Sequence, residues 1–489
     1  MTAAFAGART GDRLAEALLS GADPDELARA PVPSVYTAAH LRAEDADMFG
    51  DGGDRDVRRS LHVGPVAMPE LAPDEVLVAV MASSVNYNTV WSATFEPVPT
   101  FRFLKDYGAQ GGWAARHDVP YHVLGSDGAG VVVRTGSGVR RWRIGDHVVI
   151  SSACVDDQEA ATHEDGMLGA GQLAWGYETN FGGLAEYAVA RASQLIPKPA
   201  HLTWEEAGCT AACAGTAYRM LVGAHGARLK QGDVVLIWGA AGGLGGYAVQ
   251  FVRQGGGIAV GVVGSAAKAA AARRLGCDVV VDRAQIGLGD GVAGGGVPVD
   301  SRSTPGRRLG TLIRRAVGED PHIVFEHTGR ATFAASVFVV RRGGTVVTCG
   351  SSTGYRHEFD NRYLWMRLKR VIGSHVANLQ EQWECHRLFG LGRVVPTLSA
   401  VHPLAETGEA ARIVQTNRHI GKIGVLCMAP GPGLGVTDPA LRARIGEQRL
   451  NPLRQTPLSS PPPTSTSDEA GSAVGGGPEV GDARRAALR

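Results

Sequence analysis

The chain has 489 residues, with Lys+Arg 49 against Asp+Glu 48 and a formal net charge of +1. That balance offers no concentrated basic surface, so no nucleic-acid partner is expected. A hydrophobic share of 44% is that of a globular chain, and no apolar run approaches the ~20 residues that span a bilayer, so no membrane association is expected either. The N-terminus lacks an uninterrupted apolar core of signal-peptide length. Seven scattered cysteines suit reduced thiols better than a disulfide framework. The expectation is a soluble, cytoplasmic protein.

Residues 11–30 (GDRLAEALLSGADPDELARA) predict short amphipathic helices broken at Gly21 and Pro24. From about 73 to 150, short apolar runs alternate with turn residues (EVLVAVMASSV, GAGVVVRTG, GDHVVISS), which predicts a mostly β domain. The pattern changes over 211–375. There VVLIW, IAVGVV, VVV, HIVFE and TVVTCG are continuously apolar and alternate with helical stretches, the mark of a parallel sheet covered on both faces. A mixed pattern then returns. Four regions are therefore expected: 1–210, a catalytic domain with a helical N-terminal extension; 211–374, an inserted cofactor domain; 375–430, a return to the catalytic domain; and 431–489, a tail. The tail ends in a Pro/Ser/Thr/Gly-rich stretch and lacks hydrophobic periodicity, which predicts disorder.

Glycine stands at 67, about twice average usage, and concentrates between Gly226 and Gly310. The strand VVLIW runs into Gly239-Ala-Ala-Gly242-Gly243-Leu244-Gly245-Gly246 and then a helical YAVQFVRQ. Glycines at such a junction let backbone N–H groups approach a pyrophosphate at a helix N-terminus. Gly239, Gly242, Gly243, Leu244 and Gly245 are the candidate loop contacts, although a tight strand–helix turn without a nucleotide has the same composition. The next strand ends in Gly264-Ser265, with no acidic residue for a ribose 2′-hydroxyl. Ser265, Lys268 and Arg283 lie near the strand ends instead. A hydroxyl and two cations suit a 2′-phosphate and point to NADPH, although both cations could be ordinary solvated charges.

The stretch GSDGAGVVVRTGSGVRRWRIGDHVV (125–149) resembles the medium-chain dehydrogenase/reductase superfamily. Its zinc members place His-Glu where this chain has Ser126-Asp127, and they carry four clustered cysteines. Only Cys209 and Cys213 are close here, so no metal is expected. Longer segments resemble crotonyl-CoA carboxylase/reductases: SSVNYNTVW (83–91), PYHVLGSDGAGVV (120–132), WGYETNFGGLAEYA (175–188), VFEHTGR (324–330) and HEFDNRYLWMRLKRVIGSH (357–375). The likeness runs from about residue 10 to about 430. It implies an α/β fold, a Rossmann-type doubly wound parallel sheet inserted into a GroES-like β-barrel catalytic domain. The implied activity is NADPH-dependent reductive carboxylation of an enoyl-CoA with CO2, in a homo-oligomer (dimer or tetramer).

The resemblance also assigns residues. The CO2 pocket maps onto Asn86, Tyr177, Glu178 and His375: an amide donating to CO2, a ring shielding it, and a carboxylate and an imidazole positioning a water. Read alone, Asn86 would be a backbone-capping side chain and His375 a core histidine. The CoA contacts map onto Arg342, Arg362 and Tyr363, which could equally be surface groups. Three departures stand out. Tyr177 stands where Phe is usual, which leaves a non-carboxylating enoyl-CoA or quinone reductase as an alternative. The stretch after Arg283, to about 306, is Gly-rich where relatives carry an aromatic, charged insert; that change also leaves open a non-catalytic NADP-binding protein. Small residues at Cys209–Gly215 replace larger ones, which predicts room for a longer or branched acyl group.

Overall fold

The computed structural model describes residues 12–50, 53–288 and 304–454. Most of the Gly-rich stretch after Arg283, and the Pro/Ser/Thr-rich end of the tail, lie outside the described residues. Two layers of strands organise the rest.

The catalytic sheet runs, in spatial order, Leu195–Pro197, His147–Ile150, Ala129–Thr135, Glu75–Val85, Lys422–Leu426 and Leu398–Pro403, with Tyr187–Arg191 also on Glu75–Val85. All eleven residues of Glu75–Val85 are buried, which explains its continuous apolar run from Val76 to Ala82. Three partners share this strand: Ala129–Thr135 and Tyr187–Arg191 along its first two-thirds, and Lys422–Leu426 at its end. That last pairing brings the chain after residue 397 back onto the first sheet.

The second sheet is wholly parallel. Its order is Val279–Asp282, Ile258–Val263, Val234–Trp238, Ile323–Glu326, Thr345–Thr348 and Arg370–Gly373. Numbered along the chain this is 3-2-1-4-5-6, the doubly wound order that places ligands at the switch between the first and fourth strands. Gly239 and His327 leave those two strands there, and the His327 Nε2 lies 2.8 Å from the Trp238 carbonyl oxygen.

Ahead of the sheets, helices Arg13–Leu19 and Pro24–Arg29 form where periodicity placed them. Pro24 opens the second helix rather than breaking one, inside a capping box made by Asp23 and Glu26. The tail boundary needs a larger correction. Residues 431–454 are folded, with helices Pro439–Ile445 and Glu447–Leu450. Arg442 forks onto Glu206 at 2.7 and 3.0 Å, Arg454 meets Glu205 at 2.7 Å, and Leu450 and Leu453 are buried. Glu205 and Glu206 are themselves fully buried on the helix Trp204–Ala207. This strap is held by buried ion pairs and two leucines, so hydrophobic periodicity could not reveal it.

Candidate active site

Asn86 sits at the N-cap position of the helix Tyr87–Thr94, yet its side chain makes no capping bond. It turns inward instead. Its Nδ2 donates to Asp127 Oδ2 at 2.8 Å, and its Oδ1 accepts from the Lys422 ammonium and from Cys213 Sγ at 3.3 Å. Asp127 also accepts from Ser84 Oγ and from the Ala212 N–H, both at 2.8 Å. Lys422 places its other two donors on the Val85 carbonyl, at 2.9 Å, and on Asp127, at 3.0 Å. Asn86, Asp127 and Lys422 are all buried. Burial lowers the pKa of Lys422, but Cys213 and Asp127 more than offset this and hold it above the ordinary lysine value.

This group adjoins the glycine loop. Gly421, at φ +57, donates its N–H to the Ala241 carbonyl, and Gly242 bridges to Gly421. The Lys422 stem then crosses Gly243, where an added Cβ would stand 2.8 Å from Lys422 Cδ. Gly245 is equally constrained, because its Cβ would meet the Gly239 carbonyl oxygen at 2.2 Å. Gly243 opens the helix Gly243–Gln254, and the partly buried Leu244 packs on the core.

The loop's other flank carries the expected cations. Ser265 caps the helix Ala266–Arg274 through the Lys268 N–H, and Lys268 Nζ bonds the Asn417 carbonyl and side chain at 2.8 and 2.7 Å. The Arg283 guanidinium lies against Gly264, where a Cβ would come within 2.8 Å of its Nε. Burial, with Arg283 adding to it, brings the Lys268 pKa down to about 8. His419, between Lys268 and Lys422, is held neutral, its pKa lowered to about 3 chiefly by burial and then by those two charges. These residues fit a phosphorylated dinucleotide. They offer a hydroxyl and two cations beside a strand end with no carboxylate.

Tyr177, Glu178 and His375 form a second, more open group. Glu178 Oε2 accepts the Ala174 N–H at 2.7 Å, and His375 Nδ1 lies 3.0 Å from Gln172 Oε1. His375 is exposed and not a core histidine. The surrounding protein lowers its pKa, Glu178 pulls it back up, and Arg219 adds to the lowering. Tyr177 stacks at a tilt, 5.9 Å from Phe103. Burial, then Tyr355 and Glu178, raise its phenol pKa, so the hydroxyl keeps its proton. The two groups meet through the backbone: Gly125 donates its N–H to the Gly176 carbonyl at 3.2 Å, which sets Tyr177 and Glu178 beside the loop that carries Asp127. No side-chain bond joins Asn86 directly to the other three.

Arg342, Arg362 and Tyr363 stand apart from both groups. Arg342 and Arg362 are exposed; Arg342 bonds the Met366 carbonyl, and Arg362 forks onto Asp360. Tyr363 packs edge-on against Phe338. The small residues at 209–215 also differ from expectation. Cys209, Ala211, Ala214 and Gly215 are filled by the protein itself, with Gly215 tight against Gln382, so only Ala212 and Cys213 are left partly open. Asp127, Lys422 and Gln172 were absent from the expected site. The one signal in the sequence is a lysine opening the apolar strand KIGVL.

A Rossmann sheet inserted into a β domain, with a glycine loop beside a buried polar cluster, defines a medium-chain dehydrogenase/reductase. The family model for the alcohol dehydrogenase GroES-like domain matches residues 72–200, and that for zinc-binding dehydrogenases matches 243–389. The residues present do not fit zinc. Asp127 is committed to Lys422, Ser126 replaces a ligating imidazole, and no group of three potential ligands gathers among the described residues.

A crotonyl-CoA reductase of Streptomyces avermitilis is 50% identical over 86% of this chain and 94% of its own length. A crotonyl-CoA carboxylase/reductase of Cereibacter sphaeroides is 38% identical over 79% and 88%. The solved structure of the 2-octenoyl-CoA carboxylase reductase CinF, in complex with NADP and 2-octenoyl-CoA, is 66% identical, covers 91% of this chain and 99% of that one, and superposes with a TM-score of 0.88. The chain belongs to the crotonyl-CoA carboxylase/reductase family.

Proposed function

We propose that the chain reduces and carboxylates a 2-enoyl-CoA with NADPH and CO2, giving an alkylmalonyl-CoA such as ethylmalonyl-CoA. The observation that carries this reading is the joint between cofactor loop and polar cluster: Gly242 pairs with Gly421, and Lys422 then crosses Gly243 to reach Asn86. A dinucleotide held by that loop would lie beside the cluster that sets Asn86.

NADPH, when bound, supplies the hydride for Cβ of the unsaturated thioester. The alkene electron pair moves to Cα as an enolate, and Cα then bonds the carbon of CO2. The protein must hold CO2 against that carbon and keep protons away. Asn86 offers an amide N–H to a CO2 oxygen. Glu178 and His375 hold a water on the opposite side, and the Tyr177 ring walls the space. Ser265, Lys268 and Arg283 take the 2′-phosphate.

The protonated Tyr177 hydroxyl beside Glu178 favours a second reading, in which the enolate is protonated and the product is the saturated acyl-CoA. The kinship with a 2-octenoyl-CoA carboxylase reductase supports acceptance of longer acyl chains.

Arg342, Arg362 and Tyr363 are proposed to take the CoA phosphates and adenine at a boundary between subunits of a homo-oligomer. They flank the edge strand Arg370–Gly373, where Trp365, Met366, Leu368 and Val371 are exposed. An unpaired sheet edge with apolar side chains invites pairing. No disulfide joins the cysteines among the described residues, which suits a reducing cytoplasm. Among the described residues no helix is long and apolar enough to cross a membrane.

The test supplies purified protein with crotonyl-CoA or 2-octenoyl-CoA and either NADPH or NADH, with and without bicarbonate and carbonic anhydrase, and weighs the products. The reading predicts NADPH-specific, CO2-dependent alkylmalonyl-CoA, with octenoyl-CoA turned over at least as well as crotonyl-CoA. Saturated acyl-CoA alone in excess CO2 would sink it and leave the plain reductase.

A further inference from the structure

An asparagine amide is nearly symmetric in shape, so a side chain that must donate to a ligand needs something to decide which end is which. At Asn86 two buried charges decide it. A carboxylate can only accept and an ammonium can only donate. The Nδ2 therefore faces Asp127 and the Oδ1 faces Lys422. A flipped amide would set N–H groups against the ammonium and a carbonyl against the carboxylate, both repulsive in a site shielded from water.

The frame around the amide is rigid and complete. Lys422 spends its three donors on Val85, Asn86 and Asp127, and Asp127 is held by Ser84 and the Ala212 N–H. Asn86 has one amide N–H on Asp127, and its second N–H has no acceptor among the described residues. That second N–H is a fixed donor with nothing of the protein to donate to.

We infer that Asp127 and Lys422 are positioning residues that set the Asn86 amide, so that its uncommitted N–H is the one offered to CO2. This rests on the proposed function and names a control within it. The pair acts through Asn86 and touches neither substrate nor gas. Gly243 belongs to the same device, because only a residue without Cβ lets the Lys422 stem cross the loop to reach Asn86. The pair also ties CO2 capture to the cofactor side, since Lys422 follows directly on Gly421, which is bonded to the glycine loop.

The experiment measures the ratio of carboxylated to saturated product, at whatever rate remains, for wild type, Lys422→Met and the neutral pair Lys422→Met with Asp127→Asn. The double variant removes both charges together, so it leaves no unpaired buried ion and folds even where the single variant does not. The inference predicts a ratio at least tenfold below wild type in the double variant, where neither charge is left to set the amide, and a smaller fall in Lys422→Met, where Asp127 still holds the Nδ2. A ratio at the wild-type value with a lower rate of NADPH oxidation would show a merely structural role and overturn the inference. Wild type itself yielding only saturated product is a different failure, that of the proposed function.

Discussion

The two halves of the site are built on opposite principles. Around Asn86 every charge is buried and paired, and the hydrogen bonds converge from residues 84, 127, 212 and 422. Around His375 the surface is open, and among the described residues the imidazole has one side-chain hydrogen-bond partner, Gln172. In the proposed roles, the group that meets CO2 has to be placed before the gas arrives, since a small, weakly polar gas offers little binding energy to reorganise anything. A group that holds a water can leave part of its order to the substrate. The closed half is therefore the more sensitive to geometry, and the open half to charge and pH.

The largest effect is expected beneath the closed half. The strap 431–454 clamps Glu205 and Glu206, and Gly208, just after their helix, lies against Ala82 on the strand that carries Ser84. A chain ended after Pro430 leaves both buried carboxylates without their arginines, at about 3–5 kcal/mol for each broken pair. Thermal melting should show a large fall or insoluble protein. A chain ended after Arg454 should melt as the full chain does, and equal melting of the shorter one would break the claim that the closed half needs this support.

Next comes Asn86→Ala. Loss of the oriented donor should lower the carboxylated share of product at least tenfold, about 1.4 kcal/mol in the competition between CO2 and a proton, while hydride transfer persists. Mass analysis of products, set beside NADPH oxidation, separates the two. Loss of oxidation with no change in the ratio would make Asn86 structural only.

The smallest effect tests the open half. The His375 pKa lies below its ordinary value, so the imidazole is neutral at pH 7 and becomes charged only as pH falls below about 6.5. The carboxylated share should be flat above that pH and decline on the acid side. Glu178 raises this pKa, so Glu178→Gln should move the decline to still lower pH, whatever the height of the plateau. A pH profile of product ratio in both proteins checks the sign. A shift towards neutral pH would contradict the electrostatic assignment.

Local patterns were legible in the sequence, and long-range ones were not. The strand–glycine–helix junction at 234–254 follows from short-range periodicity and composition, and the structure forms it as the strand Val234–Trp238 and the helix Gly243–Gln254. Asn86 read alone suggests a helix cap, and it does occupy the cap position. Its amide turns away because two buried charges, 41 and 336 residues distant in the chain, bind it more strongly than an N–H of its own helix could. No spacing rule joins residues that far apart. The strap was missed for a related reason. Its anchoring arginines look like surface charges until the two glutamates beneath them are seen to be buried. The narrowed residues at 209–215 mislead in the other direction, since most of the space they leave is taken by Gln382 and the core.

The central claim is that hydride delivery here ends in a carbon–carbon bond. Wild-type protein with NADPH, 2-octenoyl-CoA, 13C-labelled bicarbonate and carbonic anhydrase tests it most directly, by the mass of the product formed per NADPH oxidised. The account predicts a carboxylated acyl-CoA carrying one label at nearly every turnover. Unlabelled saturated acyl-CoA in equal yield to NADPH oxidised, at saturating CO2, would contradict it.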